Sequence, residues 1–425
     1  MLVRPVAEDC EVDSDVEGVP ARSRTVTPVL TLGLASTAAA ALTWGLQAVA
    51  GRVLGPESYA AFMVVWGLVF FTVGVLAGLQ QEVARSVTAA RSAPEDGPRS
   101  SVFRLSLVFG ILGGGVIALS APLWAGRLFG AGWPTIAAAV AATSALYAVY
   151  NGVNGALAGR EQWSDYATAM VCEAILRLLL VGAVLALGGG LGAQAWGLAG
   201  AGVTWAVLSV RRGFRDAARA QGTGTLSDLS SRSLNALVAA GCSAVMISGF
   251  PVLLKITADH PLPAEAGVVL AAIVATRAPL LLPLAAFQTF VLSRFVREPG
   301  RVLVTLAKLS AAVALLTVAG AAAAYFIGPD LLVLLYGPRF VIEPALIATL
   351  VVAAGLLTVQ TLSGSAVLAG GRHVAYAFGW LAGTAAAILV LTAPLSVGQR
   401  SAAALLVGSL VGLVLNLGTL LRRRP

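Results

Sequence analysis

The stretch from Glu265 to Phe290, EAGVVLAAIVATRAPLLLPLAAFQTF, is apolar and carries one cation, Arg277, near its middle. A hydrocarbon core about 30 Å thick takes about 20 helical residues. Arg277 therefore falls near the midplane, where a cation costs about 2.5–3.5 kcal/mol even on the most lenient insertion scale. That cost is tolerated where the charge faces a wet cavity or a partner. Pro279 and Pro283 follow. Each removes a backbone N–H and frees the carbonyl one turn earlier, at Ala275 and Pro279. Freed carbonyls at this depth must face protein or water, not lipid. The helix reads as the wall of a polar cavity. The other reading is a structural arginine, paired inside the bundle or snorkelling to the interface.

Arg177 lies near the middle of a second apolar run, CEAILRLLL, with Glu173 four residues earlier. That spacing puts both on one helical face in the favourable acid-before-base order, and a pair shares the cost of burial. Glu173 is either half of a self-satisfied ion pair or a proton or cation site. Arg52 and Lys255 end two other apolar runs at equivalent places. Two cations at one mouth would suit a polyanionic head group, because field focusing concentrates anions; interfacial anchoring is the alternative. Gln81, Asn151 and Asn154 could hydrogen-bond sugar hydroxyls, or serve as helix–helix glue.

Other chemistries find little support. Cys10 lies in a polar tail and Cys172 and Cys242 in apolar runs, and the only histidines, His260 and His373, sit in short connections. Neither a disulfide framework, a metal site nor histidine catalysis is expected, and no cofactor is implied. Without a Walker A sequence the chain is not expected to hydrolyse ATP itself. The outer connections are too short to hold the acidic or histidine chemistry of large extramembrane loops. A transporter is expected rather than an enzyme.

These residues need elements to hold them, and the composition says which. The chain has 425 residues, is 58% hydrophobic and 11% charged, and its mean hydropathy is +0.87. That is an all-α polytopic membrane protein. Residues 1–27 form an acidic tail expected to be disordered. Twelve spans are predicted near 28–50, 59–81, 104–125, 134–157, 167–188, 190–210, 233–254, 266–290, 302–327, 344–369, 374–394 and 401–420. With the N-terminus inside, twenty of the 28 basic residues fall on the inside and five on the outside. This split predicts cytoplasmic N- and C-termini and explains the net charge of +8 without nucleic acid.

The chain also repeats itself. Leu157-Ala158-Gly159 returns as Leu368-Ala369-Gly370, Tyr166-Ala167 as Tyr376-Ala377, and Leu128-Phe129-Gly130 as Leu335-Tyr336-Gly337. The turn Gly55-Pro56-Glu57-Ser58 aligns with Leu262-Pro263-Ala264-Glu265. The shared offset, about half the chain, predicts a six-plus-six parallel pseudo-repeat about an axis along the membrane normal, with a substrate path between the halves. The expected organisation is a six-helix lobe at 28–210, a cytoplasmic linker at 211–232, a second six-helix lobe at 233–420 and a basic tail at 421–425.

At Arg52-Val53-Leu54-Gly55-Pro56-Glu57-Ser58-Tyr59-Ala60-Ala61-Phe62 the chain resembles polysaccharide flippases of the Wzx type. These belong to the multidrug/oligosaccharidyl-lipid/polysaccharide exporter superfamily. Its members often carry an LGPEEYG-like turn between the first two spans; here Ala60 stands where glycine is usual. The resemblance implies two lobes around a V-shaped cavity lined by the first, second, seventh and eighth spans. It also implies alternating access that moves a polyprenyl-diphosphate-linked oligosaccharide across the bacterial cytoplasmic membrane. Arg277 would bind the diphosphate, Arg52 and Lys255 would attract or release it, and Arg177 with Glu173 would form a secondary or coupling site. The partners expected are membrane lipid, the lipid-linked glycan, and glycan polymerase or glycosyltransferases, with the chain a monomer. The rival readings are a cation-coupled multidrug antiporter on the same fold and a non-transporting scaffold of a glycan-assembly complex.

Overall fold

The computed structural model describes residues 23–92, 97–258, 262–278, 295 and 299–422. These are helical almost throughout: α1 (Ser23–Ser92), α2 (Val102–Phe129), α3 (Trp133–Gly159), α4 (Trp163–Ala186), α5 (Leu191–Gly200), α6 (Thr204–Leu208) and α7 (Arg212–Ala218). There follow α8 (Leu226–Ile247), α9 (Phe250–Ile256), α10 (264–278), α11 (Val302–Tyr336), α12 (Pro344–Ala369), α13 (His373–Leu391) and α14 (Val397–Leu421). Among the described residues, seven stretches are long and apolar enough to cross a membrane, or eight if the bent pair α8–α9 is one span. The chain is an all-α, multi-pass membrane protein.

Two of the seven stretches are double length, Thr31–Ser92 with 62 residues and Val102–Gly159 with 58. The first breaks at Gly55, whose φ of 72° suits glycine and few other residues. Thr43 before the break and Phe70 after it both meet the guanidinium of Arg177. A straight helix would hold those residues about 40 Å apart. So α1 is a hairpin of two arms. The second stretch turns at Gly130–Gly132, and α3 runs back along α2 with Gly110, Gly113 and Gly114 set against Ala145, Ser144 and Ala141.

Helices α3 to α5 pack on α1, α2 packs on α3, and α11 to α14 form a second group. The second arm of α1 joins the two by lying along α8, with Gly78 at Ala236 and Gly74 at Ala244. The internal repeat is written into the backbone. Gly130 (φ 60°) and Gly337 (φ 105°) end equivalent helices. Glu161 (φ 59°) and Gly371 (φ 71°) turn equivalent connections, where Gln162 N donates to Leu157 O and Arg372 N to Val367 O.

The structure departs from the sequence reading in several places, among them the expected sixth span (190–210), which a 3-10 turn at Ala201–Val203 interrupts between α5 and α6. Helix α1 already begins at Ser23, inside the expected tail. The expected linker 211–232 is folded: it forms α7, then β2 (Gln221–Thr223), which pairs antiparallel with β1 (Arg99–Ser101) in the register Arg99↔Thr223. Thr225 then caps α8 in a capping box with Asp228. The seventh span is broken, with α9 bent 69° from α8. The expected breaks at Pro279 and Pro283 lie outside the described residues.

Candidate functional site

The bend in the seventh span has a cause in its sequence. Pro251 has no N–H to give the carbonyl four residues back, Ile247 O. Arg277, on α10, fills that vacancy: its Nη1 donates to Ile247 O at 2.9 Å. Its guanidinium also lies 6.0 Å from the Phe250 ring centroid. Gly67, on the second arm of α1, lets the bend approach; a Cβ there would stand 3.0 Å from Ser248 O and 3.2 Å from Pro251. Arg277 Nη2 is buried with no hydrogen-bond partner, and no carboxylate pairs with Arg277 among the described residues. The site therefore presents one unneutralised cation with a spare N–H. An incoming phosphate or carboxylate oxygen would satisfy that donor through a charge-assisted hydrogen bond.

Arg177, on α4, is held quite differently. Glu173 and Arg177 are 7% and 5% exposed and their Oε1 and Nη1 are 3.3 Å apart. Tyr147, on α3, donates to the same Oε1 at 2.6 Å. Arg177 Nη2 donates to Thr43 at 2.8 Å, and the guanidinium lies 4.9 Å from the Phe70 centroid and 5.8 Å from that of Trp66. The pair thus ties α3, α4 and both arms of α1 together. The two opposite charges balance within the pair.

Arg52, at the end of the first arm of α1, donates from Nε to Leu335 O at 2.8 Å and from Nη2 to Leu334 O. It caps the last carbonyls of α11, across to the other half of the molecule, so the mouth expected at Arg52 is closed there. Beneath it Tyr59, Tyr336 and Phe340 are buried, with ring centroids 5.5–5.8 Å apart. Gly51 makes room for this plug, since a Cβ there would meet the Tyr336 ring at 2.5 Å. Lys255 is half-buried on α9, which packs against α1.

The sugar-contact candidates separate. Gln81 is exposed, while its neighbour Gln80 donates to Tyr166 OH at 2.9 Å. Glu82 is buried and pairs with Arg85 at 2.6 Å and Arg232 at 3.1 Å. Asn151 and Asn154 are buried on α3, and one amide atom of each lacks a partner. The structure thus gathers none of these with Arg277. Sequence reasoning missed Pro251, Tyr147 and the Tyr59–Tyr336–Phe340 plug. Pro251 alone carried a local signal, as a proline inside an apolar span.

No family model matches the chain. It is 34% identical over 397 residues to the uncharacterized protein Rv1510 of Mycobacterium tuberculosis, covering 93% of this chain and 92% of the relative. It is also 34% identical over 398 residues to the uncharacterized protein Rv3630 of the same species, with the same coverage. Among solved structures, it superposes on an inward-facing multidrug resistance MATE family transporter of the MOP superfamily with a TM-score of 0.68. The identity there is 16%, with 93% of this chain and 98% of that chain covered. The outward-facing conformation of such a transporter gives 0.62 at 16% identity, covering 93% and 94%. A MOP superfamily transporter from Pyrococcus furiosus, described as having a binding pocket of reversed polarity that suggests a different function, gives 0.60 at 18%, covering 93% and 94%.

Proposed function

For this chain, which belongs to the family of the Mycobacterium tuberculosis proteins Rv1510 and Rv3630 and has the fold of MOP superfamily transporters, we propose the function of a flippase. Its cargo is a polyprenyl-diphosphate-linked oligosaccharide, moved across the cytoplasmic membrane by alternating access for cell-surface polysaccharide assembly. The observation that carries this reading is Arg277. It is a cation at membrane depth with no carboxylate partner among the described residues and a buried N–H left over beside a helix bend. A drug cation would be repelled there, and a diphosphate attracted.

With the arginine-rich ends taken as cytoplasmic, the end closed by Arg52 and the Tyr59–Tyr336–Phe340 plug is the outer one. In this conformation the cargo loads from inside. Release then requires Arg52 to leave the α11 carbonyls and the plug to part, which exposes Arg277 to the outer side. The glycan follows through the space between the halves while the polyprenyl chain stays in lipid.

A second reading, a cation-coupled antiporter, is favoured by Glu173, a buried carboxylate held by Tyr147 and Arg177. The test is a depletion strain complemented with wild type, Arg277→Ala or Glu173→Gln. Lipid-linked sugar trapped in the inner leaflet and cleared by wild type but not by Arg277→Ala supports the flippase. No accumulation on depletion, together with proton- or sodium-dependent efflux of small cations that needs Glu173, supports the antiporter.

A further inference from the structure

A cavity of about 580 Å³ opens at the arginine-rich end of the amino-terminal half, away from Arg277. Its floor is apolar and includes Phe103, Trp205 and Phe214, with the first two rings in edge contact at 5.7 Å. Arg215, Arg219 and Gln221 contribute to its rim. Arg215 lies on α7, Arg219 directly follows its last residue and Gln221 lies on β2, so the linker between the halves forms one wall.

Three observations say what this cavity takes. Arg215 and Arg219 are one helical turn apart, and like charges at that spacing repel. Of the neighbouring cations, Arg211 pairs with Asp165 at 3.2 Å, Arg232 with Glu82 at 3.1 Å and Arg160 with the main-chain oxygen of Asp216 at 3.4 Å, while Arg212 does not line the cavity. Arg215 and Arg219 have no carboxylate partner among the described residues, and the carboxylate of Asp216 does not line the cavity. Trp205 Nε1, in the floor, is buried without a hydrogen-bond partner. Beside it Val207 and Val210 are 61% and 77% exposed, as lipid-facing residues are.

We propose that this cavity is a binding site for the phosphate headgroup and upper acyl chain of an anionic membrane lipid. Arg215 and Arg219 hold the phosphate, and the Phe103–Trp205–Phe214 floor takes the chain. An apolar floor below paired cations fits an amphiphile better than a free phosphate ion. An aromatic ring at this level is the usual interfacial anchor. A lipid there would hold the linker against the amino-terminal half. The site is independent of the cargo proposed above.

The test places purified full-length protein in phosphatidylcholine vesicles containing increasing fractions of phosphatidylglycerol brominated on its acyl chains, with tryptophan quenching as readout. The result expected is a saturable component at low mole fraction, absent in Trp205→Phe. Its midpoint should shift by about tenfold or more in Arg215→Gln/Arg219→Gln and stay near wild type in Arg215→Lys/Arg219→Lys, which controls for folding. Quenching that rises in simple proportion to mole fraction, identical in all variants or with brominated phosphatidylcholine, would overturn the site. Saturable quenching displaced by millimolar inorganic phosphate would overturn the lipid in favour of a free anion.

Discussion

Arg177 and Arg277 both place a guanidinium at membrane depth, one in each half of the molecule. Arg177 is neutralised by Glu173, steadied by Tyr147 and Thr43, and covered by Trp66 and Phe70. Arg277 has a carbonyl and one ring, and an N–H to spare. The repeat sharpens the contrast. The positions matching Glu173 and Arg177 are Gly383 and Ala387, where α13 instead meets α14 so closely that a Cβ on Gly383 would stand 2.5 Å from Gly408 O. The position matching Arg277, by the turn Gly55-Pro56-Glu57-Ser58 aligned with Leu262-Pro263-Ala264-Glu265, is Phe70, one of the rings that cover Arg177. A cation neutralised within its own half knits helices together, whereas one left unneutralised is available to an anion.

The largest effect expected from breaking this contrast is at Arg177. Arg177→Ala would strand Glu173 and cost about 3–5 kcal/mol, whereas Glu173→Ala/Arg177→Ala should cost much less because no lone charge remains. Denaturation in detergent measures both, and equal losses would contradict the pairing. Next is Gly383→Ala, which forces α13 from α14 and should cost about 1–3 kcal/mol. Pro251→Ala returns an N–H to Ile247 O in competition with Arg277. It should change stability by about 1 kcal/mol or less while lowering transport, a split seen by comparing melting with export. The smallest is Glu161→Gly. Relief of its left-handed backbone should outweigh loss of the exposed contact to Arg91 at 3.2 Å and stabilise by about 0.5–1 kcal/mol.

Much of this was legible in the sequence, for reasons that mark where reading stops. Span lengths and the arginine distribution are local properties, so the all-α membrane architecture follows from composition. The repeat was legible because its turns need particular residues, such as Gly130 and Gly337. The Glu173–Arg177 pair was legible as an i, i+4 spacing. Tyr147 was not, because it meets Glu173 only when α3 and α4 pack. The same holds for Arg52, whose partners Leu334 and Leu335 are main-chain oxygens that no side-chain pattern announces. Strands of three residues, as in β1 and β2, are too short for any period to register. Arg277 was legible as a lone cation in an apolar run, but its partner Ile247 O was not, being another main-chain oxygen.

The most direct test is binding of a polyprenyl diphosphate to the purified protein in lipid nanodiscs, comparing wild type, Arg277→Ala and Glu173→Ala/Arg177→Ala. Loss of a charge-assisted hydrogen bond is worth about 1.5–3 kcal/mol, so Arg277→Ala should weaken binding by about tenfold or more. The double variant should bind within about threefold of wild type. Unchanged binding by Arg277→Ala, with binding lost in the double variant, would contradict the account and move the anion site to the amino-terminal half.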